Sequence, residues 1–432
     1  MSVDGSDRGR TRGCALERAR ADAVSCEALT RRRVLASVAG LLGAGLAGRH
    51  ALADDSPRWF SFGAKPEAAP APRPRAQLST ITLGSPDFAL LDDRTPYLAG
   101  VRPHRDGGAR IELARPVETG GELRHVIHNY GHGGAGVTLA FGSAEHVVGL
   151  VERLQQTTSA GGEPKAVAIL GCGVMGLTSA AALTRRWPAL AVTIYASDCT
   201  PEGTTSYVAG GQFAPVATLG EYASGEQRRF LDSLISRSEE RLHLLRRTDQ
   251  SDRLGIARAP SYSLDTSPAG ASVQVKLGAA VLPARTYETW LIDPRRLLPA
   301  LKSDLARRGV AFVEREFTTP SDVYALEQPI IINCTGYGAR DLFGDPALEA
   351  RRGHMVVLRN PTGLRYMVTN WCGDTANRYL FARGTDIVIG GSLQPGVEAG
   401  AFDPADASDV AICERILRRA RALFEKSGER CA

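Results

Sequence analysis

Val167-Ala-Ile-Leu-Gly-Cys-Gly-Val-Met-Gly176 sets the architecture of this chain. Four consecutive apolar residues predict a strand buried on both faces, and Val174 to Arg186 predicts the helix that follows. Between them, Gly171 permits a tight turn and Gly173 lets the backbone approach a pyrophosphate. Gly176 lets helix and strand pack closely. Phosphate charge would then rest on the positive end of the helix, where main-chain donors lack partners. Cys172 and Met175 lie inside the same turn and are counted with its glycines as dinucleotide-binding positions. The motif alone also describes ordinary glycine turns, but here a strand precedes it and a helix follows.

Moving outward, Leu190–Tyr195 predicts the next strand. Such a strand ends on an acid that holds ribose hydroxyls; the candidates are Ser197 and Asp198, with a solvated loop acid as the alternative for Asp198. The segment Thr200 to Pro215 supplies hydroxyls for phosphate at Thr204 and Thr205, and small residues at Ala209, Gly210 and Gly211. Glu226–Arg247 predicts a helix, Tyr287–Ile292 a strand, Pro294–Arg308 a helix, and Val310–Glu314 and Pro329–Asn333 further strands of the nucleotide-binding sheet. A second glycine turn, Asn333-Cys-Thr-Gly336, follows the last of these and contributes Thr335 and Gly336. Phe317 reads either as an adenine neighbour or as a plain core aromatic. Met355 to Gly391 predicts strands of a second sheet, and Ala407–Phe424 an amphipathic helix.

Upstream, short strands are expected at Leu98–Val101, Arg110–Leu113 and Arg124–His128. The cluster Gly131-His-Gly-Gly-Ala-Gly-Val-Thr138 opens a helix running to about Gln155. Taken together, these segments resemble the D-amino-acid oxidase family. The correspondence spans residues 95–424, but in rotated order: the segment Val126 to Thr138 resembles that family's closing motif, and Gly171 to Gly176 its opening one. The chain therefore resembles a circular permutant, with the polar stretch Gln156–Pro164 joining what are elsewhere the two ends. Fold termini often lie close together at the surface, which makes such a join physically inexpensive.

The resemblance implies an α/β protein with a Rossmann-type FAD-binding domain and an antiparallel-sheet (α+β) substrate domain. Residues 165–215 and 296–345, with 126–155, would form the first; residues 95–125, 216–295 and 346–432 would form the second. It implies cofactor contacts from the residues named above and from His132, Gly133, Gly134, Gly136, Val137 and Thr138. There the helix end would face the flavin and support charge on its reduced form. His132 either takes a direct part or braces the loop. Gly100-Val-Arg-Pro-His-Arg105 resembles the family's carboxylate-binding segment, which gives Arg102 the substrate carboxylate, with a structural salt bridge as its alternative. Arg105 reads as structural. Tyr287 is the candidate for a second carboxylate contact; Gln212 and Phe213 could line the pocket, and Ala135 replaces an aromatic of longer relatives. The implied activity is oxidation of an amino acid to an imine by hydride transfer to FAD, with oxygen as acceptor. Alternatives are an oxidase or dehydrogenase of another amine or hydroxy acid, or an exported flavoprotein that only binds a ligand.

Composition bounds the rest. The chain has 432 residues, 43% hydrophobic and 23% charged, which is ordinary for a globular protein. Its net charge of +5 is concentrated at the N-terminus, where residues 1–53 carry nine Arg and five acids. The remainder is nearly balanced, so a nucleic-acid partner is not expected. Thr30-Arg31-Arg32-Arg33-Val34-Leu35, a weakly apolar run to Gly48 and Ala51-Leu52-Ala53 read as a twin-arginine signal with its cleavage site. This predicts engagement of the twin-arginine export machinery, a periplasmic or secreted destination and no stable membrane anchor. Residues 54–80, with five Pro, read as a linker. Of the eight Cys, none forms a CxxC or His/Cys cluster, so no metal is expected. Oligomeric state is not legible from these patterns.

Overall fold

A computed structural model describes residues 78–157, 163–214, 225–264, 270–370 and 378–425. The signal segment, nearly all of the 54–80 linker, most of the Gln156–Pro164 join and Cys372 and Cys431 lie outside those residues.

Seventeen strands form two principal sheets among the described residues. The chain opens with β1 (Thr80–Leu83), β2 (Tyr97–Arg105), β3 (Arg110–Leu113), β4 (Val117–Thr119) and β5 (Glu122–Tyr130). Helix α1 (Gly136–Thr157) leads to β6 (Ala166–Leu170), α2 (Val174–Arg186), β7 (Ala191–Ala196) and α3 (Gly225–Arg247). Next come β8 (Ile256–Ser263), β9 (Ala271–Leu277), β10 (Ala280–Ile292), α4 (Pro294–Arg307), β11 (Ala311–Glu314), α5 (Pro320–Tyr324), β12 (Ile330–Asn333) and α6 (Ala339–Leu342). The chain closes with β13 (Leu348–Arg359), β14 (Arg365–Thr369), β15 (Tyr379–Arg383), β16 (Asp386–Gly390), β17 (Gln394–Pro395) and α7 (Ala407–Glu425).

The smaller sheet runs β11-β7-β6-β12-β5-β3, with β4 also paired to β5, and its pairs are parallel except β3–β5 and β4–β5. Val167, Ala168 and Ile169 in its centre are fully buried, as an uninterrupted apolar strand covered on both faces requires. Residues 95–125 are divided between the sheets: β2 pairs with β13 of the larger sheet, while β3 and β4 pair with β5, whose His125 to His128 lie parallel to β12. Ile111 and Ile127 join the same core as Ile169 and Leu177.

Helix α1 is long and apolar enough to cross a membrane, yet 72% of that stretch is buried in the protein. It packs on α2 and α3, and Gly142 marks the closest approach: a Cβ there would lie 1.9 Å from the Leu234 carbonyl oxygen. Ser238 accepts from the Gly142 N–H at 2.8 Å at the same crossing.

The larger sheet runs β1-β9-β10-β8-β14-β15-β16-β13-β17, with β2 also paired to β13. It is mostly antiparallel, with β1–β9 and β8–β14 as parallel pairs. Strand β10 begins at Ala280, seven residues before the predicted start at Tyr287, because it forms a hairpin with β9. Alternation gives the sheet two faces. Val356, Leu358, Leu380 and Ile389 face α7, while Met355, Val357, Met367, Phe381 and Val388 form the opposite face.

Candidate active site

The two glycine turns, the opening of α1 and the Thr205–Gly211 segment lie near one another. The glycine turn after β6 has the expected geometry. Gly171 has φ 106, and a Cβ on it would lie 2.5 Å from the Cys334 carbonyl oxygen. A Cβ on Gly176 would lie 2.0 Å from the Gly171 carbonyl oxygen. Gly173 starts α2 with no side-chain cap of its own, and the Val174 N–H is met by Ser206 Oγ at 3.0 Å. The two glycine turns therefore abut, Gly171 against Cys334–Thr335, and Gly336 has φ 61. Thr335 Oγ1 donates to Asn333 Oδ1 at 2.8 Å, which fixes the second turn. An open helix end behind a side-chain-free turn fits a dinucleotide phosphate.

Other candidates sit nearby with differing engagements. Asp198 and Ser197 are exposed just beyond β7, and Asp198 is bonded by the Thr200 N–H at 2.6 Å and the Thr200 hydroxyl at 2.8 Å. These bonds hold its carboxyl below the ordinary range. Thr204 Oγ1 donates to the Pro201 carbonyl at 2.7 Å, and Thr205 is exposed. Cys172 is buried and donates to the Cys199 carbonyl, so packing accounts for it. Phe317 lies edge-on to Tyr195 with Arg315 over its ring, as a core aromatic would.

The segment from Thr205 to Gly211 bridges the two halves. Gly100 on β2 sits under Val208, and Gly210 lies against the Tyr379 and Phe381 rings. Gly211, at φ 91, lets the chain pass against Ile292, where a Cβ would stand 1.8 Å from the carbonyl oxygen. Arg383 was not foreseen. It is buried, pairs with Asp386 and Asp293, and reaches the Ala209 carbonyl at 3.5 Å, tying this segment to the sheet.

The opening of α1 completes the floor. Gly133 to Ala135 form a single tight turn, with Gly133 at φ 54 and Gly134 exposed. Gly136 lies beside the Met175 methyl, Val137 is buried, and Thr138 Oγ1 donates to the Gln212 carbonyl at 3.3 Å. His132 is buried, bonded to Ser143 Oγ at 3.0 Å, and pushed down to about 3 by burial. This geometry gives it the loop-bracing role.

His128 is also buried and neutral, pushed down to about 4 by burial and then by Arg110. In the unfolded chain both imidazoles titrate near ~6.5. Between that value and their folded values the unfolded chain binds more protons, so stability falls as pH falls. The expected loss is about 1.4 kcal/mol per histidine per pH unit below 6. Urea unfolding at pH 7 and pH 5 measures it, and His132→Asn should reduce the slope; equal slopes in both proteins would contradict this assignment.

Arg102 lies flat on the large sheet. Its guanidinium covers Gly353 of β13, where a Cβ would fall 2.3 Å from Nη1, and it is within hydrogen-bond reach of the Tyr379 hydroxyl. Tyr379 in turn lies over Gly390 of β16, its partner across the strand pair, where a Cβ would fall 2.0 Å from the ring. Gly353 inside β13 and Gly390 at the end of β16 thus clear a channel for an arginine–phenol pair. Burial raises the Tyr379 pKa above its ordinary value, although Arg102 pulls it the other way. Tyr379, which the sequence reading did not single out, is the tyrosine beside Arg102. Tyr287 belongs to β10, and five strands separate β10 from β2. Arg105 is structural as expected: its Nε donates to Asp345 Oδ2 at 2.8 Å, and Tyr130 donates to the same oxygen at 2.7 Å.

Comparison with known proteins places the chain in a family. The family described as "DAO: FAD dependent oxidoreductase" matches residues 166–431, more than half of the chain. The protein belongs to that family of FAD-dependent oxidoreductases. It is 27% identical over 270 residues to a D-amino-acid oxidase of Streptomyces coelicolor, covering 60% of this chain and 77% of that one. It is 29% identical over 279 residues to a D-amino-acid oxidase of Rubrobacter xylanophilus, covering 61% and 81%. A glycine oxidase structure from Geobacillus kaustophilus is 19% identical with a TM-score of 0.45, covering 60% of this chain and 77% of that one. As a family member the protein uses FAD, whose phosphates suit the Gly171–Gly176 turn and the open end of α2.

Proposed function

We propose that the protein oxidises the carbon–nitrogen bond of an amino acid held by its carboxylate between Arg102 and Tyr379. The observation that carries this reading is the arginine–phenol pair lying over Gly353 and Gly390, beside the Gly210–Gly211 segment. A guanidinium presents two parallel donors to a carboxylate, and a neutral phenol adds a third. FAD, when bound, supplies the hydride acceptor. The protein's own contribution is to orient the substrate Cα–H, to exclude water from the carboxylate clamp and to set the open end of α1 toward developing negative charge. His132, neutral and already bonded to Ser143, does not serve as the base. A substrate that enters with its amine neutral needs none. Water then hydrolyses the imine, and oxygen is the proposed final acceptor. A hydroxy acid would use the same carboxylate clamp and is the second reading.

The clamp makes a specific prediction. Tyr379→Phe should raise KM for amino acids about tenfold, the cost of one hydrogen bond to a charged group, whereas Tyr287→Phe should leave the KM for alanine within about twofold. Steady-state oxygen uptake with D- and L-amino acids measures both. Equal effects of the two substitutions would remove Tyr379 from the clamp.

Two further elements belong to this reading. The rotated chain order is proposed as a circular permutation; it is supported by a family match that starts at residue 166 while, from before that point, β5 joins the same parallel sheet and α1 packs into its core. Export through the twin-arginine pathway, with the cofactor taken up before translocation, is proposed from the Arg31-Arg32 leader.

A further inference from the structure

We infer that the site has a second, hydrogen-bonding pole that selects amino acids with an uncharged polar side chain. This rests on the carboxylate role of Arg102 and Tyr379. Gly210 lies against the Tyr379 and Phe381 rings. Gln212 is two residues further on, within about 7 Å along an extended chain. Its Nε2 donates to Ser261 Oγ at 2.9 Å and to Tyr287 Oη at 3.4 Å.

Ser261 and Tyr287 stand opposite each other in the β8–β10 pair. They lie on the face that carries Ala259, Leu291, Met367 and Phe381, a largely apolar face that also holds the buried hydroxyls of Ser263 and Thr289. Ser261 is fully buried, while Gln212 and Tyr287 are half-buried. An amide, a hydroxyl and a phenol grouped on a largely apolar face carry a desolvation cost that a polar ligand group offsets. Two strand spacings separate β15 from β8, and the register sets Phe381 in line with Ser261 and Tyr379 two residues further along, so the backbones of Tyr379 and Ser261 stand about 12 Å apart. Allowing for side chains reaching inward from both ends, that span suits an amino acid whose side chain ends three or four atoms from Cα.

The chemistry of the trio selects the terminal group. With both Nε2 hydrogens on Ser261 and Tyr287, Gln212 offers Oε1 as an acceptor, and the Ser261 hydroxyl keeps a proton to donate. A carboxamide or hydroxyl both donates and accepts, so it also matches the amide turned by half a rotation. None of the three groups carries charge. Arg285 lies two residues from Tyr287 and donates to Ser272 Oγ at 2.6 Å; it is the nearest reason for an acidic side chain to be preferred instead.

The test uses the full-length holoenzyme and anaerobic flavin reduction by D-glutamine, D-methionine, D-glutamate and D-alanine, with the L-enantiomers in parallel. Glutamine and methionine have similar length but differ in hydrogen bonding. We expect glutamine to exceed methionine in catalytic efficiency by about tenfold or more. Gln212→Leu should collapse that ratio by about tenfold, and Tyr287→Phe should reduce it less, with flavin absorbance confirming that each variant retains its cofactor. Methionine matching or exceeding glutamine in the parent would overturn the inference, as would a ratio unchanged in Gln212→Leu. A preference for glutamate would overturn it in favour of Arg285. Reduction by alanine but not by glutamine would sink this inference alone, whereas no reduction by any amino acid of either hand would sink the amino-acid reading with it.

Discussion

Arg102→Ala should raise KM for amino-acid substrates by about a hundredfold or more while the protein stays yellow. Truncating one partner of a desolvated, hydrogen-bonded charge pair costs about 2–5 kcal/mol, and each 1.4 kcal/mol is a factor of ten. The cofactor should be retained, because the dinucleotide turn and the opening of α1 are built by other segments. Arg102→Lys should recover only part of the loss, since an ammonium lacks the planar fork that meets a carboxylate with two bonds. Steady-state kinetics with flavin content measured on the same samples would check this. An unchanged KM would return Arg102 to a purely structural role.

Gly176→Ala should separate the protein from its flavin. The added methyl carbon would sit 2.0 Å from the Gly171 carbonyl oxygen, and that neighbour is backbone that cannot rotate away. Either α2 shifts along β6 or the turn opens, and both move the donors that meet the pyrophosphate. Overpacking of this kind costs about 1–3 kcal/mol, and the displaced donors add to it, so FAD affinity should fall by roughly tenfold to a thousandfold. Titration of the apoprotein with FAD, followed by flavin fluorescence, measures the change. Gly309→Ala is the control: its turn has open space around it, although its φ of 83 makes it mildly strained. Similar losses in the two variants would mean that the Gly176 effect is general destabilisation.

The parts of this fold that were legible share one property: the chain itself carries their constraint. The β6 strand, the Gly171–Gly176 turn and α2 form a local unit whose strand, glycine spacing and helix are contiguous in the chain, and Gly176 packs directly on Gly171. Helix α1 was legible for the same reason, through the spacing of Val147, Val151 and Leu154. Tyr379 was not legible, because its place depends on Gly390, which leaves room for its ring, and on Gly353, which leaves room for the Arg102 guanidinium, and these lie on two other strands. Nothing in Arg378-Tyr-Leu-Phe-Ala-Arg383 distinguishes the tyrosine from a packing aromatic. The strand glycines were the available signal, since glycine inside a strand often marks a close approach. Arg383 escaped for a similar reason: its partners Asp293 and Asp386 come from the start of α4 and from β16. The early part of β10 was missed because Pro283 and an alanine-rich stretch mask its alternation. The division within residues 95–125 was not legible, because a single turn after β2 carries the chain from one sheet to the other.

The most direct test of the central claim is the absorbance of the purified protein before and after an amino acid is added without oxygen. An FAD site beside a carboxylate clamp predicts a yellow protein that bleaches with an amino acid and recovers its colour when air is admitted, with Arg102→Ala yellow but bleaching only at far higher substrate concentration. A protein that binds FAD yet is bleached by no D- or L-amino acid, or that bleaches equally well without Arg102, would contradict the account.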